Sequence, residues 1–177
     1  MQLLALSGSL RAASTNTTLL KAAAAVVPPD VTLHIYDGLG DLPHFNPDLD
    51  KDPPHAAVDE FRFHLQKSAG VIISTPEHAH GVPGVQKNAL DWLVASGELY
   101  EKPVALFSAS PRANYAQASI METLTVMTAR VVPEACIVVP LLGKDLDEKG
   151  VIADSDFAQT LRSAFIAFAD AIGNHAR

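Results

Sequence analysis

An α/β fold, a parallel β-sheet covered by helices on both faces, is what this sequence predicts. Three observations carry that expectation. Short apolar runs alternate with stretches of helical periodicity along the chain. The run at residues 70–74, Gly-Val-Ile-Ile-Ser, is apolar and β-branched throughout its middle rather than alternating with polar residues, as a strand covered on both faces requires. Five such runs occur, each followed by a helix or a long crossover, and that order makes neighbouring strands parallel.

Residues 3–6 read as the first strand. Residues 15–27 read as a helix, because Ser14 is a good N-cap and Pro28-Pro29 stops the pattern. The second strand is expected at 31–35. Residues 37–54 are rich in Gly, Pro and Asp and read as a loop. A helix at 55–67 leads to the third strand at 70–74, and a helix at 83–94 carries Pro83 at its first turn. The fourth strand is expected at 104–108. A helix follows at 115–130, with Ile120, Leu124 and Met127 along one side. Residues 135–139 read as the fifth strand. Phe157, Leu161, Phe165, Phe168 and Ile172 mark a last helix at 155–172 by their steps of three or four.

The 177 residues suit one domain, 1–177, and 48% of them are hydrophobic against 19% charged. A net charge of −7 speaks against nucleic acid as a partner, since phosphate neutralisation needs clustered Lys and Arg. No apolar stretch is long enough to span a membrane, and Met1-Gln-Leu-Leu-Ala lacks the basic start of a secretory signal. A cytoplasmic protein is expected. The single cysteine, Cys136, lies in an apolar run and reads as a small buried hydrophobe of the fifth strand.

In such sheets ligands sit outside the carboxyl ends of the strands, where strand order reverses. Three loops meet there. The first, residues 7–18, runs from a strand into a helix N-terminus. It holds six hydroxyl side chains, Asn16 and Arg11. Free backbone N–H groups and the positive end of the helix dipole favour an anion at that place, and a phosphate monoester suits the set. The dinucleotide fingerprint fails, because only Gly8 is present, and no lysine precedes Lys21 to make a nucleotide P-loop. Asp37 therefore reads as a turn residue. The second loop, residues 75–92, is stiffened by Pro76 and Pro83 and can present backbone groups to the edge of a flat heterocycle. The third is Ser108-Ala-Ser110-Pro-Arg112-Ala-Asn114.

Gly8-Ser9-Leu10-Arg11 with Ser14 and Asn16, then Pro76-Glu77, then Pro83-Gly-Val-Gln-Lys-Asn-Ala-Leu-Asp-Trp92, resemble the NADPH-dependent FMN reductase family, which includes quinone, chromate and azo-compound reductases. The resemblance spans roughly residues 1–110. It implies a flavodoxin-like three-layer α/β/α sandwich with five parallel strands in the order 2-1-3-4-5. It also implies bound FMN, with NADPH or NADH as electron donor. Carried over residue by residue, it assigns the FMN phosphate to Ser9, Arg11, Ser14, Thr15 and Asn16. It sets Pro76, Glu77, His78, Ala79 and His80 beside the isoalloxazine ring, with Ser108 and Ser110 contributed by the third loop. Family members are dimers or tetramers with the helix after the Pro-Gly element in the interface, which would bring Trp92 near a partner chain.

The sequence departs from the family twice. His78 and Ala79 stand where Tyr-Asn is usual, and the third loop lacks a glycine pair. Arg112 then reads either as surface charge or as a cation reaching the flavin edge or a nicotinamide phosphate. The expected activity passes reducing equivalents from NAD(P)H through FMN to a small acceptor such as a quinone, a free flavin, an azo compound or a metal oxyanion. No catalytic side chain is demanded, because the cofactor carries the chemistry. His78 is the most interesting side chain near the ring, since an imidazole titrates near neutral pH. The pair His78 and His80 lacks further ligands at metal spacing, so no metal site is expected. The competing reading is a flavin-binding or electron-carrier protein without NAD(P)H turnover.

Overall fold

The computed structural model describes residues 1–175. Its elements follow in the order β1 (Gln2–Ser7), α1 (Thr15–Ala25), β2 (Thr32–Tyr36), α2 (Ala56–Lys67), β3 (Gly70–Ser74), α3 (Gly84–Asp91), β4 (Pro103–Ser108), α4 (Asn114–Val126), β5 (Arg130–Val131), β6 (Ile137–Val138), α5 (Glu148–Ala153) and α6 (Ser155–His175). The sheet order is β2-β1-β3-β4-β5, with β6 also on β4, and every pairing is parallel. This is the flavodoxin-like order that the resemblance implies. After β1 the chain crosses outward to β2, then returns to the other side of β1 as β3. The strand order therefore reverses at the β1–β3 seam, where Leu6 pairs with Ile73 and Ser7 with Ser74.

Alternation along β1 divides the core. Leu3 and Ala5 face α1 and α6, in a cluster with Leu19, Leu20, Phe165 and Phe168. Leu4 and Leu6 face the other layer, with Val58, Phe61 and Leu65 of α2, Leu90 of α3 and Ile120 and Leu124 of α4. Residues 71–73 of β3 are all fully buried, as a central strand between two helical layers requires.

The long loop after β2 is held down by the helix that follows β3. Asn88 accepts a hydrogen bond from the Phe45 amide at 2.7 Å and donates to the Pro43 carbonyl at 3.0 Å. Trp92 donates its indole N–H to that same carbonyl at 2.8 Å and meets the Phe45 ring edge-on, 5.1 Å between centroids. Arg62 grips Asp50 with both of its terminal nitrogens. Trp92 is only 1% exposed, and its indole packs inside its own chain.

Two stretches differ from the sequence reading. The helix expected over 115–130 ends at Val126, because Thr128 turns left-handed (φ 57°) and the Ala129 amide donates back to the Leu124 carbonyl at 2.9 Å. Met127 and Ala129 still pack on the core, so the apolar pattern runs on past the helix end. The fifth strand, expected as one piece at 135–139, is two short pieces. Pro133 opens a tight turn through Ala135, and Pro has no N–H to offer a ladder. β5 pairs with the start of β4, and β6 with Phe107 and Ser108. In the gap, the Leu106 amide donates to Cys136 Sγ at 3.3 Å, and the thiol in turn reaches the Val132 carbonyl at 3.4 Å. Cys136 thus bridges the break rather than lying in a strand. The short helix α5 carried too little periodicity to be foreseen.

Burial pushes the Cys136 thiol above its ordinary pKa, the Leu106 amide opposing this and Glu134 adding to it. A depleted thiolate predicts that Cys136 reacts with a thiol reagent near pH 8 well below the rate of free cysteine, and faster only as pH rises; a rate equal to free cysteine would contradict this burial. Gln86, in the first turn of α3, is fully buried and neither its Oε1 nor its Nε2 has a hydrogen-bond partner among the described residues. Removing two such polar atoms without changing the volume much should stabilise. Gln86→Met is expected to raise unfolding free energy by about 1 kcal/mol, read from the denaturant midpoint.

Candidate functional site

The site is built on the β1–β3 seam. The Gly8 amide donates to the Ser74 carbonyl at 2.9 Å, and a Cβ on Gly8 would lie 2.1 Å from Thr75 Oγ1. Only glycine lets the first loop press so closely on the second. Ser74 Oγ donates to Asn16 Oδ1 at 3.1 Å, both groups being buried. Ser7 and Thr17 join their hydroxyls at 2.8 Å. These contacts pin the N-terminus of α1 over the carboxyl ends of β1 and β3. Ser14 caps the helix by accepting from the Thr17 amide at 3.4 Å. Among the described residues, the amides of Thr15 and Asn16 have no protein acceptor. They form the positive end of a helix dipole.

A cavity of about 230 Å³ opens in front of this end. Thr15 and Asn16 form one wall, Thr75, Pro76 and Glu77 the second, and Ser110 and Arg112 the third. A neighbouring cleft of about 410 Å³ lies between Ser9 and Arg11 of the first loop and His78 with Pro83–Val85 of the second. Arg11 and Arg112 are exposed, each at a rim. The cavity alone is smaller than the ~300–1,000 Å³ usual for small-molecule sites. With the cleft beside it, the space suits an elongated ligand that is anionic at one end.

The second loop has an unusual backbone. His78 and Gly81 exchange hydrogen bonds of 3.0 and 2.9 Å across a two-residue turn, in which Ala79 (φ 49°) and His80 (φ 59°) are both left-handed. Two consecutive residues with a Cβ in that region are costly, and glycine or asparagine is the usual choice. Two contacts hold the turn. Glu77 Oε2 accepts from the amides of Tyr115 at 2.8 Å and Ala116 at 3.0 Å, at the start of α4. Ala113, at the N-cap of α4, has no side chain to do this, so a carboxylate from another loop caps the helix. The His80 ring stacks on Tyr115, 4.2 Å between centroids and 18° between planes.

The sequence-expected residues thus separate. Thr15, Asn16, Pro76, Glu77 and Ser110 meet on one cavity; Ser9, Arg11 and His78 meet on the adjoining cleft. Ser14 is turned into its capping bond. Ala79 and His80 form the exposed turn tip. Two side chains make contacts that the sequence reading did not foresee. Glu77 lines the wall, but its Oε2 is taken up by the start of α4. Ser108 is 3% exposed, and its hydroxyl is engaged with the backbone of Ser110, donating to the carbonyl at 2.8 Å and accepting from the amide at 3.3 Å. Thr75, Leu142 and Tyr115 were not foreseen. No local pattern marks them, because each is brought in by contacts between distant loops.

Comparison with known proteins identifies the family and agrees with the fold. The profile of the NADPH-dependent FMN reductase family matches residues 1–141. The chain belongs to that family. It is 38% identical over 111 residues to a quinone reductase of Pseudomonas putida, an alignment covering 60% of this chain and 58% of that relative's length. The solved structure of the flavoenzyme FerB, an NAD(P)H:(acceptor) oxidoreductase from Paracoccus denitrificans, superposes with a TM-score of 0.83 at 31% identity, covering 98% of each chain. An archaeal flavodoxin shares the fold alone, with a TM-score of 0.64 at 15% identity over 98% of this chain and 99% of its own.

The cap supplied by Glu77 has a measurable consequence. Glu77→Gln keeps the shape but removes the charge from bonds to the α4 dipole, and should cost about 1 kcal/mol of stability in thermal or denaturant unfolding. An unchanged midpoint would show that the carboxylate does not cap α4 in solution.

Proposed function

We propose that this chain is an FMN-dependent oxidoreductase that passes reducing equivalents from NADPH or NADH to a small acceptor of the quinone class. One observation carries the reading: the α1 N-terminus, its Thr15 and Asn16 amides unpartnered, is pinned beside a wall stiffened by Pro76. A helix end that attracts an anion and a proline-stiffened wall on the same cavity suit a flavin mononucleotide. The phosphate would be held by the amides of Thr15 and Asn16 with Ser9 and Arg11, a cation that adds a charge-assisted contact at the rim. Pro76, Glu77 and His78 would line the ring, with Ser110 across the cavity. FMN, when bound, supplies two-electron redox chemistry. The chain's own share is to hold and orient, and to leave one face open for nicotinamide and acceptor in turn. Arg112, exposed at the cavity wall, suits the phosphates of a nicotinamide cofactor.

The family membership and the quinone reductase relative support the redox assignment. The acceptor is a small molecule, and no described helix is long and apolar enough to cross a membrane. The whole of residues 1–177 serves as one cofactor-binding domain in this reading, cytoplasmic and acting as a homodimer or homotetramer. Val94 and Tyr100, each 64% exposed just beyond α3, offer an apolar surface for a second copy.

The decisive measurement is an absorption spectrum of the purified protein titrated with FMN, followed by anaerobic NADPH. Flavin bands that bleach, and a melting temperature that rises with FMN, are expected. Arg11→Ala should weaken FMN binding by about ten-fold through loss of one charge-assisted contact. Saturating FMN that neither binds nor shifts the melting temperature would remove the assignment.

A further inference from the structure

We infer that Tyr115 is a positioning residue of the flavin site: its ring holds the turn 78–81 in the shape that lines the cleft. The inference rests on the FMN reading above and deepens it. Tyr115 is 58% exposed and lies in the first turn of α4, outside both the cavity and the cleft lining. Hydrophobic burial therefore does not explain its contact with His80. Its ring instead offers a flat platform at 4.2 Å and 18° to the one imidazole of the turn whose own backbone is left-handed.

The turn needs such a platform. Ala79 and His80 each occupy a region that residues with a Cβ avoid, and strained residues persist only where their surroundings over-determine them. Within the turn there are only the two His78–Gly81 hydrogen bonds. The rest of the support comes from α4: the Tyr115 and Ala116 amides hold Glu77 at the base of the turn, and the Tyr115 ring holds His80 at its tip. Tyr115 thus contributes twice, once by backbone and once by side chain. Between these points lie the amides of Ala79 and His80, which have no protein acceptor among the described residues, and His78, which faces the cleft. If the platform is removed, the turn can relax toward right-handed backbone, and the wall on which the ring would rest moves with it.

The side-chain share is tested by Tyr115→Ala and Tyr115→Phe in the full chain, with two readouts. The first is hydrogen exchange of the His78 and Gly81 amides in protein without FMN. The second is the FMN dissociation constant, measured by quenching of flavin fluorescence. A stack of this kind supports exchange and affinity changes of about three- to ten-fold. Tyr115→Ala is expected to accelerate exchange and weaken FMN by that factor, with the melting temperature nearly unchanged, and Tyr115→Phe to restore both, since the ring face and not the hydroxyl makes the contact. Wild-type exchange and wild-type affinity in Tyr115→Ala would overturn the inference. So would faster exchange with unchanged FMN affinity, because the turn would then be tethered without positioning the site. If the wild-type chain itself fails to bind FMN, the functional assignment falls, and the positioning claim for the flavin falls with it; the exchange readout still separates that case, since it tests the stack without any ligand.

Discussion

The close approach of two backbones at the β1–β3 seam is the constraint on which the site depends. Gly8 lies against Thr75 with no room for a Cβ, and its amide is bonded to Ser74. That contact, together with the buried Ser74–Asn16 bond, decides where the α1 N-terminus points. Without it, the free amides of Thr15 and Asn16 would still exist, but they would face solvent instead of a wall carrying Pro76 and Glu77. The topology makes such a place available, because strand order reverses there. The glycine and the serine fix that free helix end against the second loop.

The opposite wall is set by a different kind of coupling. The turn 78–81 is locally unfavourable, and the start of α4 lacks a cap of its own. Each deficiency is met by the other segment: Glu77 caps α4, and Tyr115 supports His80. Two marginal pieces become one ordered rim. This arrangement also explains why Glu77, which looks from its motif like a ring contact, can matter to the site with its Oε2 bonded to α4.

Away from the site, the motif that follows the second loop has a structural use. Asn88 and Trp92 both bond the Pro43 carbonyl and so anchor the long segment after β2. At the far edge of the sheet, Pro133 breaks the last strand, and Cys136 takes the amide of Leu106 that the break would leave unpaired. A buried N–H without a partner is costly, so a half-buried thiol with a weak acceptor sulfur is a serviceable substitute.

How much was legible depended on the range of the interaction that carried it. Periodicity, the Ser14 cap and the proline stops are local, and they sufficed to locate the first four strands, α1, α2, α3 and α6. The early end of α4 escaped notice because Met127 and Ala129 continue the apolar pattern beyond a left-handed Thr128. The broken strand escaped because Cys136 and its neighbours are as apolar as a strand would be. Within the site, the family resemblance assigned Thr15, Asn16, Pro76 and Ser110 to the cofactor, and the structure brings these four onto one cavity because loop and helix-end positions follow from the chain order. The direction of the Glu77 carboxylate, the inward turn of the Ser108 hydroxyl and the stack of His80 on Tyr115 were decided by tertiary structure. A side chain's rotamer answers to whichever donor or ring the fold brings within about 3–5 Å, and for Glu77 and His80 that partner comes from a helix more than thirty residues away in the chain.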